Sequence, residues 1–403
     1  MHSTSSKRSH ARSPLHQITP NPIVRIHDLS RAGSGVGRLE SGEIVFVPFT
    51  VTGDRVEIKI LKKKKNYAHA ELIRIVEPSP DRQIPFCPVF GTCGGCTWQH
   101  VPYPLQFQTK FAGVLHALKR ASITLPEDPE KLPAEKITHY RNRIQLHGNG
   151  SKKKIGFHQA GSHEIVSITE CGIAAPEINQ SLATIADRGF ADFANDFKVE
   201  VELDLNGSIR STWNDRHAAL GFQQIHTEQN LILKNWIQTE ALKIRKQNPK
   251  DPTILIDAYG GSGNLSLDLA SSFSQVHCVD LGPLPPSTEV PSNFVYHRST
   301  VTDWLSNYSR AQISASKTEA QTGHILIFDP PREGLGPSIG SILDEMQRLK
   351  VLAVLLVSCD VDSFVRDLTE FTQNGFKVQT SAVLDLFPQT PHVESLALLV
   401  PSQ

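Results

Sequence analysis

No apolar run in the 403 residues is long enough to cross a membrane. The Ser-, His- and Arg-rich N-terminus lacks the apolar core of a secretory signal, so a cytoplasmic chain is expected. Net charge is also missing: 41 Lys and Arg balance 41 Asp and Glu, so no global field announces a nucleic-acid partner. The balance conceals a polarity, because residues 1–80 hold 13 Lys and Arg against 7 Asp and Glu, leaving the remainder acidic. Six cysteines in so long a chain are too few and too bunched for a disulfide scaffold, which turns attention to metal binding and catalysis.

The length predicts two or three domains. Residues 1–17 are polar and low in apolar content and read as a disordered tail. Residues 18–80 alternate in short strands separated by glycine turns (IVRIHDL, EIVFVPF, DRVEIKI, AELIRIV), the pattern of a small β-barrel. Lys62 to Lys65 between two of these strands offer a phosphate-binding edge or a solvated hairpin tip. After a linker at 78–85, residues 81–220 contain one amphipathic helix, Gln106 to Arg120, and then mostly strand-like segments with interleaved basic residues (Arg141, Arg143, Lys152 to Lys154). Residues 221–403 alternate helix and strand, starting with a helix at Thr227 to Lys246, as in an α/β domain with a largely parallel sheet.

The α/β region carries the chemistry. TILIDAYGGSGNLSLDL (253–269) is a buried strand that breaks at Gly260, Gly261 and Gly263 into a helical pattern. Ser266 stands where a dinucleotide fingerprint needs its third glycine. With Asp257 before the turn and Asp280 at the tip of the next apolar run, the loop suits an adenosyl ligand without a pyrophosphate, namely S-adenosylmethionine. HILIFDPPREG ends a second buried strand at Asp329, and VLAVLLVSCD ends a third at Cys359, a thiol placed to act as a nucleophile at the carboxyl rim. His392 and Glu394 precede a last strand, and either is a candidate base. Upstream, Cys87-x5-Cys93-Gly-Gly-Cys96 with a distant Cys171 fits zinc or an iron–sulfur cluster, and the five-residue gap with a lone partner favours iron–sulfur.

These motifs together resemble the RNA 5-methyluridine methyltransferases. The likeness lies in FQQ at 222–224, DAYGGSGN at 257–264, DPPREG at 329–334, SCD at 358–360 and FPQTPHVES at 387–395. The cysteine set ending in ITEC (168–171) is similar to the iron–sulfur branch, the first barrel to a TRAM domain, and YRNR at 140–143 to a central-domain segment. Ile225-His226, Asp360 and Ser299 or Thr300 depart from the residues usual in that family.

The resemblance implies a Rossmann-like, class I α/β methyltransferase domain behind a TRAM/OB-like barrel. A mixed, mainly antiparallel central domain would carry a 4Fe-4S cluster on Cys87, Cys93, Cys96 and Cys171. It further implies Cys359 as nucleophile, Glu394 as general base, and Asp329 and Arg332 beside the uracil. Gln224, Tyr259, Gly261, Asn264, Asp280 and Asp329 would surround S-adenosylmethionine. The expected reaction is methyl transfer to C5 of a uridine in 23S rRNA by a monomeric enzyme, with the same chemistry on the T-loop uridine of tRNA as the alternative. A non-catalytic RNA-binding protein is the alternative of another class. Radical chemistry is disfavoured because a C-x3-C-x2-C triad is absent.

Overall fold

The structure is a computed structural model and describes residues 21–402 apart from 205, 216–222, 250–251, 285–288 and 316–321. The expected tail at 1–17, Phe222 of the FQQ motif and the 220/221 boundary lie outside the described residues.

The first five strands, β1 (Ile23–Leu29), β2 (Gly35–Arg38), β3 (Ile44–Val47), β4 (Arg55–Lys63) and β5 (Tyr67–Glu77), close a barrel in the order β1-β2-β3-β5-β4. Period-two alternation sends Val24, Ile26, Val45, Val47, Val56 and Ile58 into its core. Gly35 permits the closure, since a Cβ there would lie 2.0 Å from Thr50 Oγ1. Lys62 to Lys65 are all exposed, at the end of β4 and in the turn that follows.

The next segment divides between two sheets. Helix α1 (Tyr103–Arg120) and the short β6 (Glu130–Leu132) leave the central region: β6 pairs in parallel with the far edge of the large sheet, and Phe107, Phe111, Val114 and Leu118 of α1 enter its core. The expected assignment of all of 81–220 to a central domain therefore does not describe these two elements. Their partners, helix 361–373 for α1 and strand 376–384 for β6, lie hundreds of residues away, a pairing no local pattern announces. The central sheet runs β11-β10-β7-β8-β9, from β7 (Arg143–Asn149), β8 (Lys154–His158), β9 (Ile165–Ser167), β10 (Asp196–Leu203) and β11 (Ile209–Trp213). Helix α2 (Pro176–Asp192), absent from the strand-like expectation, covers it with Ile178, Leu182, Ile185 and Gly189. That spacing, opened by a proline at the first turn, is helical in the sequence itself.

The last domain is an eight-stranded sheet of order β14-β13-β12-β15-β16-β18-β17-β6. Its parallel part is β12 (Thr253–Ala258), β13 (Gln275–Asp280), β14 (Phe294–Arg298), β15 (Gly323–Phe328) and β16 (Lys350–Ser358). The strands β17 (Phe376–Leu384) and β18 (Glu394–Pro401) add an antiparallel hairpin beside β16. Every residue of β12 is buried, as a strand covered on both faces requires. Leu255 faces α3 (Thr227–Gln247), while Ile254 and Ile256 face the layer of α1, α4 (Val301–Ala315), α5 (Ile339–Met346) and α6 (Val361–Gln373). Only a 3₁₀ segment, Leu267–Ser272, follows the glycine turn where a longer helix was expected. The chain must enter β13 at Gln275, and Ser266 is held by Asp257.

Helix α1 meets the sheet through a charge. Lys110 is fully buried and donates to Asp385 Oδ1 at 2.8 Å and to the Phe387 carbonyl at 3.0 Å. Burial pushes its pKa down while Asp385 opposes the shift. Replacing Lys110 with methionine is expected to cost about 3–5 kcal/mol, because Asp385 is left charged without a partner. Denaturant unfolding measures this, and the Lys110→Met/Asp385→Leu double variant should recover much of the loss.

Candidate active site

The parallel strands deliver their carboxyl ends to one rim, where α/β sheets bind ligands. At β12 the chain turns through Tyr259, held at φ 62°, and then Gly260, Gly261 (φ 55°) and Gly263 (φ 82°). Gly260 cannot carry a side chain, since its Cβ would fall 2.6 Å from Cys278 Sγ and 2.7 Å from the Asp257 carboxyl carbon. Gly260→Ala is therefore expected to push the turn outward, lower stability by about 1–3 kcal/mol and weaken S-adenosylmethionine binding. Thermal melts with and without the ligand check both effects; wild-type ligand-induced stabilisation would contradict the second.

Asp280, at the end of β13, accepts the Gly261 N–H at 3.0 Å and the Gly282 N–H at 2.7 Å, so its carboxylate spans the turn. Asn264 exchanges two amide hydrogen bonds of 2.9 Å with Asn230 of α3, which locks its orientation. Buried Gln224 donates to Asp329 Oδ2 at 3.4 Å. Together the glycines without room for side chains, the anchored carboxylate and the part-buried backbone of the turn make a cradle suited to an adenosyl group.

Asp257 is not part of that cradle. It is fully buried, takes the Ser266 hydroxyl at 2.5 Å, leaves Oδ1 without a partner, and is raised from 3.8 to about 7, chiefly by burial. The folded chain then binds a proton that the unfolded chain releases between those values, so this group's contribution to stability falls as pH rises through the window. Buried His100, His277 and His324, held down to about 4, act in the opposite direction, so the clean measure is a difference. Asp257→Asn is expected to gain stability relative to wild type as pH rises from about 4 to about 7. A constant difference in urea midpoint across that range would rule the assignment out.

At the other side of the rim, β15 and β16 run side by side and β18 returns antiparallel to β16, with Ser358 opposite Ser395. This register brings together Asp329 after β15, Cys359 after β16 and Glu394 at the start of β18. Glu394 is 1 % exposed and its carboxyl is pushed well above the usual range by burial and by Asp329, against Arg332. Burial raises Asp329 to about 7. The half-buried Cys359 thiol is pushed up to about 12 by burial and then by the charges of Glu394 and Asp329, with Arg332 pulling it down. The carboxylates thus disfavour the thiolate, while the exposed Arg332 cation beside them favours it. The departure at Asp360 has a structural use: its side chain caps α6, accepting from the N–H groups of Asp362 and Ser363 at 3.0 and 2.9 Å. His226 likewise caps α3.

Arg332 and His392 also line a cavity of about 570 Å³ whose far wall holds Cys87, Cys93, Cys96, Cys171 and Arg141. All four cysteines are free thiols, and burial raises Cys93, Cys96 and Cys171, Cys96 to about 12. The donor chemistry suits a thiolate-bound centre. The geometry is not closed, since among the described residues no three Cys, His, Asp or Glu side chains are grouped to hold a metal ion. Asn230 is a partner that motif reading missed, and it carries no signal apart from the fold. Arg141 and Ser266 lay within quoted motifs without being given these roles.

Residues 23–73 match the TRAM domain and residues 302–401 the tRNA (Uracil-5-)-methyltransferase family. The chain is 29% identical to an uncharacterised RNA methyltransferase of Bdellovibrio bacteriovorus, covering 98% of this chain and 99% of that one. It is 26% identical to a 23S rRNA (uracil(1939)-C(5))-methyltransferase of Shewanella sediminis over 95% and 96% of the two. In fold it is similar to the Pyrococcus abyssi tRNA (uracil-54, C5)-methyltransferase solved with S-adenosyl-L-homocysteine, with TM-score 0.62, 20% identity and coverage of 94% and 99%. The glycine-turn rim, the barrel and these matches place the chain in the S-adenosylmethionine-dependent RNA uracil-C5 methyltransferase family, with a TRAM domain ahead of its catalytic sheet.

Proposed function

We propose that this chain methylates C5 of a uridine in 23S rRNA, acting in the cytoplasm as a monomer. The observation that carries the reading is the meeting of Cys359, Asp329 and Glu394 at the rim that also holds the glycine turn. S-adenosylmethionine supplies an electrophilic methyl group when bound, and Gln224, Tyr259, Gly261, Asn264, Asp280 and Asp329 would hold it.

Uracil C5 is too weak a nucleophile to take a methyl group unaided. Cys359 gives up its proton to Asp329, and its sulfur bonds to C6, which makes C5 an enolate-like carbon. Arg332 balances the negative charge that gathers on the ring and at the rim. After C5 is alkylated, Glu394 takes the C5 proton; the electron pair re-forms the C5–C6 double bond, the C6–S bond breaks, and the departing sulfur takes its proton back from Asp329. A stacked base hides both carbons, so the uridine must leave its stack, while barrel and central sheet grip the surrounding RNA by phosphate contacts and shape.

The methyl transfer is redox-neutral and asks nothing of the four cysteines. They would hold a 4Fe-4S cluster that ties the Cys87–Cys96 loop to Cys171. Iron analysis after anaerobic reconstitution tests this, and undiminished iron in a Cys171→Ala variant would remove that residue from the ligand set.

The name of the Shewanella sediminis relative, matched over nearly the whole chain, favours 23S rRNA. The likeness to the Pyrococcus abyssi enzyme supports tRNA as the second reading. Mass mapping of 5-methyluridine in both RNAs from a strain lacking the gene decides: loss from 23S rRNA alone is expected, and loss from tRNA alone would transfer the assignment. A non-catalytic RNA-binding role would show as binding without any covalent adduct on 5-fluorouridine RNA.

A further inference from the structure

A second cavity, of about 520 Å³, opens on the central sheet beside the cysteine cavity and shares Gly94, Gly95, Gln145 and Phe157 with it. Its remaining wall includes His147, His158 and His163. His147 of β7 and His158 of β8 are stacked, with ring centres 3.7 Å apart and planes at 21°, and His163 meets His158 edge-on at 5.4 Å and 87°. Rings stacked face to face cannot aim their nitrogens at a common ion, consistent with the lack of any metal-holding group among the described residues. Burial and the neighbouring His158, Lys198 and His163 keep His147 below the ordinary imidazole range.

The platform is built rather than incidental. The Gly94 N–H donates to the His158 carbonyl at 3.0 Å, the Ala160 N–H to the Thr92 carbonyl at 3.2 Å, and Cys93 bridges to Gln159. The loop after β8 is thereby fixed to the cysteine loop. Lys198 lies across from His147 on β10, and exposed Lys152 to Lys154 form the tip of the β7–β8 hairpin. A flat, half-exposed aromatic stack edged by lysines is what a single-stranded nucleic acid requires: a π-face for the base and cations for the phosphates.

We infer that the His147–His158–His163 cavity is a stacking subsite for an unpaired nucleotide of the RNA substrate, lying apart from the rim where the target uridine reacts. Cys87, Cys93, Cys96 and Arg141 line the space between the two, which leads from the histidines to Arg332 and His392. The inference rests on the RNA-modifying reading and adds a second base-binding position to it.

The test is a cycle between side chain and base. Full-length wild-type, His158→Ala, His158→Phe and His163→Ala proteins are titrated with a fluorescein-labelled oligouridylate and with the same sugar-phosphate strand lacking its bases, at one salt concentration. Removing the bases is expected to weaken wild type about tenfold more than it weakens His158→Ala. Phenylalanine should keep the wild-type difference, and surface His163→Ala should reduce it about threefold. Equal weakening of all four proteins would overturn the subsite, as would zinc that copurifies with wild type and is lost from His158→Ala. The cycle requires no turnover, so absence of a 5-fluorouridine adduct would remove the methyltransferase reading while these titrations still decide the subsite.

Discussion

Cys359→Ser is expected to lower kcat by on the order of 10⁴-fold, leaving S-adenosylmethionine and RNA affinities near wild type. The sulfur is asked to form and break a bond to C6, and a serine hydroxyl at the same place is a far weaker nucleophile with a higher pKa. In the free protein the thiol is already pushed up to about 12, so attack depends on moving its proton to Asp329 and on the Arg332 charge. A hydroxyl would ask more of the same groups than they can supply. Single-turnover assays with labelled methyl donor measure the loss. Denaturing gels with 5-fluorouridine RNA give a second readout, because fluorine at C5 cannot leave as a proton and the complex stays joined through sulfur. Serine should show no adduct. Wild-type turnover by the serine variant would end the covalent mechanism.

Glu394→Gln should fail at the opposite end of the same reaction. Attack on C6 and alkylation of C5 do not need this carboxylate, but removal of the C5 proton does. We expect a kcat loss of about 10³-fold and, on ordinary uridine RNA, accumulation of a methylated protein–RNA adduct. Accumulation distinguishes a lost base from a damaged fold, since a misfolded rim would form no adduct. The substitution is nearly isosteric at a site 1 % exposed, and it removes a carboxyl whose charge burial and Asp329 disfavour, so stability should hold or rise. Prompt release of 5-methyluridine by the glutamine variant would move the base to another group, with His392 next in position.

Much of the catalytic half was legible because its signals are local. A buried strand, three close glycines and an acid at the next strand tip describe a ligand loop by themselves, and the structure adds why Gly260 admits no Cβ. The barrel was equally readable from period-two alternation and glycine turns. Helix α2 was legible too, yet it was missed because the strands around it dominated the reading of 132–213. The place of β6 and α1 could not be read from any window. Three residues of β6 gain their meaning only from Ala382, Val383 and Leu384 on β17.

The sequence by itself determined which groups this protein brings to its chemistry: one thiol and a carboxylate at strand ends, a glycine turn for an adenosyl ligand, four cysteines in an uneven set, and a basic barrel. Only the tertiary structure decided that Cys359 and Glu394 face each other, since that depends on β18 returning antiparallel beside β16. It alone showed that both groups are raised, because burial and mutual charge are properties of packed neighbours and not of a chain. Stacking of His147 on His158 belongs to the same class, for a cross-strand register sets it and no spacing encodes it.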